Sequence, residues 1–300
     1  MLKKSDKSGP WLVALGSFFW ATDAVFRKPL TSELKSTVIV FYEHLINSII
    51  SIPLLIKGWK EVYNLKKKEW FSLMFIALGG SVLATVLFTK SFSLINPTVT
   101  ILLQKTQPLI AILLAYFILK ERFTRRFWVY AAIALIGAYF ITFSDLSPVI
   151  SLKDTTFLGS LYALLAAFFW GGSTVFGRVV LKKVSYYTLT GLRFVLGLLF
   201  LFIMLLIFGL PFLIKTSYLP SLLFMAVIPG FLALFIYYIG LVSTKASIAT
   251  IGELTFPVAS VILNWVFLDA TLTMSQIIGS VILLTSIVLL SLENAKNNKI

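Results

Sequence analysis

The stretch FFWATDAVFRK (Phe18–Lys28) returns as FFWGGSTVFGR (Phe168–Arg178). A displacement of 150 residues superimposes the Phe-Phe-Trp triplet, the Val-Phe pair and the closing basic residue, and sets Glu43 on Arg193. At 149 residues, Ser72-Leu73 meets Ser221-Leu222, Phe75 meets Phe224, and Leu83-Ala84 meets Leu232-Ala233. Thr106-x-Pro108 then falls on Thr255-x-Pro257 and Thr124 on Thr273. Apolar coincidences are common in such a chain; aligned Trp and Pro are not. The sequence therefore reads as a duplication, and its fold must be one that two copies of a half-length unit build together.

Composition says what kind of unit this is. Of 300 residues, 59% are hydrophobic and 13% charged, with a mean hydropathy of +0.96. A soluble domain averages about 25% charged residues, so this chain has too little polar surface to cover itself in water. Apolar runs of spanning length lie near Trp11–Phe26, Thr37–Ile56, Trp70–Thr89, Pro97–Leu119 and Arg126–Ser144. A second set lies near Phe157–Arg178, Tyr187–Phe208, Leu219–Leu241, Ala246–Leu268 and Met274–Leu292. Lipid offers backbone groups no partners, so such segments must be helical. The expectation is an all-α integral membrane protein of ten transmembrane helices, with one five-helix unit over residues 1–145 and another over 157–292.

Five is odd, so the second unit enters the membrane upside down relative to the first. The basic residues agree. With both termini on one side, that side collects eighteen of the 26 Lys and Arg, including Lys57, Lys60, Lys66, Lys67 and Lys68 in one loop. The opposite side collects six: Arg27, Lys28, Lys35, Lys90, Lys153 and Lys215. The positive-inside rule then places both termini in the cytoplasm, in the cytoplasmic membrane. The net charge of +14 is an orientation signal of this kind, since the cations punctuate apolar runs instead of clustering on a wet surface. No nucleic-acid partner is expected. Lys3–Ala24, basic and then apolar, also has the outline of a signal peptide, but no clear Ala-x-Ala site follows it and it belongs to the repeat.

On these residues the chain resembles the EamA-type transporters of the drug/metabolite transporter superfamily. The resemblance covers nearly the whole chain. It is carried by the two Phe-Phe-Trp strings, the Pro108 and Pro257 helices, and the segments LKERFT and LDATLTMSQIIG. It implies ten helices in two inverted repeats, a central cavity bounded by helices 1, 3, 4, 6, 8 and 9, and movement of amino acids, nucleosides, sugars and other metabolites, often outward. The chain departs from the family pattern in having Glu43-His44 where helix 2 often has Arg, Asp23 where Asn is common, and Ala270 where Glu is frequent.

Ionisable residues inside spans are costly and usually face a partner or a wet cavity. Asp23, Glu43, His44, Lys105, Arg193 and Glu253 are the candidates. With 1.5 Å per residue, Glu43 and Lys105 fall about 9–12 Å below one face, and Arg193 and Glu253 at a similar depth from the other. The repeat sets Glu43 on Arg193, and Glu253 on Gln104 beside Lys105. Two pairs are expected, Glu43 with Lys105 and Arg193 with Glu253. They serve as alternately broken gates, ligate the ends of a zwitterion, or only cancel their own desolvation. Pro108 and Pro257 lie three and four residues beyond Lys105 and Glu253, where a missing amide donor kinks a helix and bares a carbonyl. Trp20 and Trp170, with Tyr237, Tyr238 and Trp265, offer rings for stacking, although aromatic residues near helix ends are also interface anchors. His44 suits proton carriage by its ordinary pKa, or packs as a core residue. Ser17-x-x-x-Ala21 and Ala167-x-x-x-Gly171 suit close helix packing.

The reading is a secondary carrier that moves a small polar or amphipathic metabolite, amino-acid-like or similar, through the lipid bilayer by alternating access, outward by the resemblance. A homo-oligomer is left open. There is no G-x-x-x-x-G-K-[ST] phosphate loop to bring in ATP, no Cys, and no cofactor or metal is expected. The rival is a membrane-embedded enzyme acting on a lipid or peptide, for which one His and no Cys leave few nucleophile–base pairs.

Overall fold

The computed structural model describes residues 8–119, 125–145, 150–243 and 252–297, apart from the side chains of a few residues within those stretches. Among them there is no strand. The α-helices are α1 (Gly9–Ala21), α2 (Asp23–Glu33), α3 (Ser36–Val62), α4 (Lys67–Met74), α5 (Ala84–Leu94), α6 (Pro97–Gln104), α7 (Gln107–Leu119) and α8 (Arg125–Thr142) in the first half. The second half has α9 (Thr155–Val180), α10 (Tyr186–Ile207), α11 (Leu219–Met225), α12 (Ala233–Ser243), α13 (Thr255–Leu268) and α14 (Met274–Asn297). Helix boundaries follow local chemistry. Asn96 caps α6 by accepting from Thr98 N at 2.8 Å, with Pro97 in the first turn, and Asp154 caps α9 by accepting from Phe157 N at 2.7 Å. Gly209 ends α10, and Asp269 ends α13, in the left-handed region at φ +58° and +51°.

Seven helical stretches are long and apolar enough to cross a membrane, and Thr255–Leu268 is a shorter apolar helix. The runs expected near Trp11–Phe26, Arg126–Ser144 and Ala246–Leu268 are outside the seven, each for a visible reason. The first is interrupted at Thr22 between α1 and α2 and carries Asp23, Arg27 and Lys28. The second opens on Arg125-Arg126, and the third begins among residues outside the described set.

Two irregularities recur at equivalent places. Between α4 and α5 the chain is π-helical over Phe75–Leu83, and between α11 and α12 over Ala226–Leu232. Residues 105–106 and 253–254 form turns that part α6 from α7 and precede α13. Irregular backbone thus falls at matching points of the two halves, and π-helical insertions in α-helices are frequent at functional sites.

Packing obeys the same repetition. α8 lies on α14, and α3 on α10; α1 lies on α12 and α13, while α9 lies on α5, α6 and α7. Exchanging the halves leaves this pattern unchanged. Small residues make the contacts: Ala131, Ala134, Gly137 and Ala138 of α8 are buried, whereas Trp128, Val129, Leu135 and Ile136 point outward. Such a surface suits lipid, where close backbone approach replaces hydrophobic drive.

One end of the bundle is tied together by Tyr218 OH donating to Glu33 at 3.2 Å, Asn96 Nδ2 to Thr271 O at 2.7 Å, Ser91 Oγ to Gly159 O at 2.8 Å, and Ser275 Oγ to Ser144 O. At the other, Ser185 N and Oγ donate to Glu61 at 2.7 and 2.9 Å. That second end carries Lys57, Lys60, Lys66, Lys67, Lys68, Lys182 and Lys183 and is termed the lysine-rich end.

Candidate functional site

The ionisable residues of the helices gather in three places, and the grouping differs from the pairs expected. The first lies toward the end opposite the lysines. Arg27, counted above as a loop residue, is 4% exposed because α2 continues the first helix to Glu33. Its Nε and Nη2 donate to the two oxygens of Asp23 at 2.6 and 2.8 Å. Nη2 and Nη1 donate to the two oxygens of Glu43 at 2.5 and 2.8 Å, and Nη1 also to Thr89 Oγ1 at 2.8 Å. All five guanidinium N–H groups are thereby used, in the bidentate geometry peculiar to arginine. Glu43 is 7% exposed and pairs with Arg27 instead of Lys105. The physical reason is the helix phase: α3 turns Glu43 toward α2 and α5, where a five-donor fork can satisfy both acids.

The second group sits at the paired helix breaks. Lys105, in the turn after α6, holds its Nζ 4.5 Å from the centre of the Phe256 ring, a cation–π contact, and Glu253 is near enough to act on it electrostatically. Glu253 accepts from Tyr237 OH, and the Tyr237 ring packs on Trp20 at 5.0 Å. Gln104 Nε2 donates to Gln107 Oε1 at 2.6 Å across the break, while Gln104 Oε1 is buried with no hydrogen-bond partner. Pro108 and Pro257 follow these turns and begin the next helical stretches. Lys105 and Glu253 therefore share one place, an association the sequence assigned to other partners.

The third group lines a cleft of about 280 Å³ whose walls include Gln107, Trp170, Ser173, Thr174, Gly177 and Arg193. Its mouth, marked by the exposed Leu181 and Tyr186, lies at the lysine-rich end. Arg193 Nε donates to Ser81 Oγ at 2.9 Å, in the π-helical stretch. The expected pair with Glu253 is thus replaced: Arg193 is held from α5's side of the bundle and Glu253 by Tyr237. Gly80 makes the cleft wall compact, since a Cβ there would stand 1.9 Å from Ser173 Oγ. Trp170 meets Phe88 edge-on at 5.1 Å. Gln107 belongs to both this cleft and the Lys105 group, so the cleft runs inward to the helix break.

The remaining candidates are placed as follows. His44 is buried against α10, edge-on to Phe194 at 5.5 Å, with Nδ1 3.0 Å from Val40 O and Nε2 without a partner. A Cβ on Gly197 would stand 2.9 Å from its ring. Trp265 is 62% exposed on the bundle surface, and the side chain of Tyr238 lies outside the described residues. Among the described residues no group of His, Asp and Glu is arranged to hold a metal.

Comparison with known proteins converges on one family. The model of the EamA-like transporter family matches residues 7–143 and 157–292. The riboflavin transporter ImpX of Fusobacterium nucleatum is 35% identical over 95% of this chain and 98% of its own length. An uncharacterized transporter of Methanothermobacter thermautotrophicus is 26% identical over 83% of this chain and 70% of its own, and protein PecM of Dickeya dadantii is 26% identical over 75% of each. A crystal structure covering 99% of this chain and all of its own superimposes with a TM-score of 0.65 at 17% identity, which is a likeness of fold. These names point to a transporter rather than an enzyme.

Proposed function

The chain belongs to the EamA-like transporter family, and from that premise we propose that it is a secondary carrier with ten membrane-crossing helices in two inverted five-helix repeats, 1–145 and 157–292. It resides in the cytoplasmic membrane with both termini and the lysine-rich end inside. It moves a small polar or amphipathic metabolite by alternating access, in the direction set by the substrate's gradient. The observation that carries this reading is the meeting of a cation, a carboxylate and three aromatic rings at paired helix breaks. Lys105, Glu253, Trp20, Tyr237 and Phe256 converge there, and the cleft lined by Gln107 approaches that break from the lysine-rich end. Discontinuous helices around a site between related halves are the usual means by which carriers present polar groups in lipid.

The substrate class follows from the same residues. Rings for stacking, one amine and one carboxylate suit a planar heteroaromatic molecule with polar substituents. Riboflavin, which appears in the name of the 35% identical relative, is of that kind and is the first substrate to test. In proteoliposomes preloaded with unlabelled riboflavin, labelled riboflavin is expected to enter by saturable counterflow. Trp20→Ala should raise the half-saturating concentration about tenfold, since an aromatic pair contributes about 0.5–1.5 kcal/mol beyond its burial. Entry without saturation or counterflow removes the carrier reading. Counterflow with other metabolites but not with riboflavin removes only the flavin.

A further inference from the structure

Applying the repeat displacement to the Arg27 cluster gives a result that neither half shows alone. Asp23, Arg27 and Glu43 map onto Ser173, Gly177 and Arg193, and these three line the cleft. Where the second half is open, the first half is filled by a guanidinium and two carboxylates. Thr174, on the cleft wall, maps onto Ala24, which is 1% exposed in the core beside Phe88 and Phe92. The same region is a cleft at the lysine-rich end and a locked contact at the other.

We propose that Arg27 is the gate residue of the end opposite the lysines, seen here closed. Three of its five hydrogen bonds join α2 to α3 and α5, the other two hold it to Asp23 of its own helix, and Lys28 Nζ adds a bond to Phe92 O of α5. These helices would have to part for a second cleft, related to the first by exchange of the halves, to open around Asp23 and Glu43. No covalent step is involved: opening exchanges the three hydrogen bonds that cross between helices for bonds to water, while Arg27 keeps its pairing with Asp23 on α2. The gate is one-sided. Gly177 has no side chain to bridge Ser173 and Arg193, so the lysine-rich end must close by other contacts, and the two ends differ in how firmly they are shut. Arg27 in this role rests on the alternating-access reading above.

The natural absence of Cys allows a test that needs no substrate. Ala24→Cys and Thr174→Cys are made separately, and each thiol is titrated with a small water-soluble reagent in purified full-length protein. With Arg27 intact, position 174 reacts quickly and position 24 slowly. Adding Arg27→Ala is expected to raise the rate at position 24 about tenfold or more and to lower it at position 174, because both report one equilibrium. Thr89→Val, which removes one of five bonds and no charge, should shift both rates the same way by a smaller factor of about two to five. It preserves the test if Arg27→Ala fails to fold. Rates unchanged at position 24, or rising at both positions together, overturn the proposal; the second outcome would mark Arg27 as structural only. Failure of riboflavin counterflow would leave these rates unaffected, so the gate and the substrate stand or fall separately.

Discussion

Lys105→Met is expected to lower the counterflow rate at least about 100-fold while the protein still inserts and purifies as a folded species. The substitution keeps the aliphatic stem and removes the ammonium. A desolvated cation–π contact contributes about 2 kcal/mol, and a charged hydrogen bond to substrate about 1.5–3 kcal/mol. Losing even about 3 kcal/mol corresponds to roughly two decades at 1.4 kcal/mol per decade. The ammonium sits where α6 breaks before α7, with Phe256 on one side and Glu253 nearby. No other Lys or Arg is within the contacts described for Glu253. Lys105→Arg retains the charge and the ring contact and should recover part of the rate. A Met variant that transports within threefold of the parent would remove Lys105 from the site.

The second large effect concerns stability. Gly137→Leu is expected to lower the melting temperature in detergent by about 6–12 °C. A Cβ at Gly137 would stand 2.7 Å from Leu283 N and 2.8 Å from Gly279 O, and one at Gly279 2.8 Å from Gly137 O. These neighbours are backbone atoms and cannot rotate aside, so α8 and α14 must separate along a close backbone contact between the halves. Overpacking costs about 1–3 kcal/mol where side chains can adjust. Here the upper end applies, and about 2–4 °C per kcal/mol is usual for chains of 150–250 residues. Ile136→Leu, on the lipid-facing side of the same helix, should change the melting temperature little. Equal behaviour of the two variants would contradict the close contact.

The duplication and the membrane setting were legible because aligned Trp and Pro and a scarcity of charge survive without any three-dimensional knowledge. Arg27 was not, since a cation beside a span normally marks its end. The clue was Asp23 four residues earlier, the spacing that puts two side chains on one helix face. Its bond to Glu43 was beyond reach, because a helix apolar all round gives no rotational phase, and α3 decides by packing which way Glu43 turns. The same ambiguity misassigned Lys105 and Arg193. The π-helical stretches have no residue signature of their own, although Gly79-Gly80 and Pro229-Gly230 fall within them, one residue out of register at the repeat displacement of 149 that aligns their flanks. Gln104 and Gln107, which connect the cleft to the helix break, were passed over because neutral amides in a span give no charge to notice.

The most direct test of the account is which face of the membrane carries each end of α3 and of its neighbours. α3 runs 27 residues, about 40 Å at 1.5 Å per residue, from the Lys215 end to the Lys66 end. In intact cells, an impermeant maleimide should label Lys215→Cys at once and Lys66→Cys only after permeabilisation. Labelling of both positions from the same side would contradict two halves set head to tail.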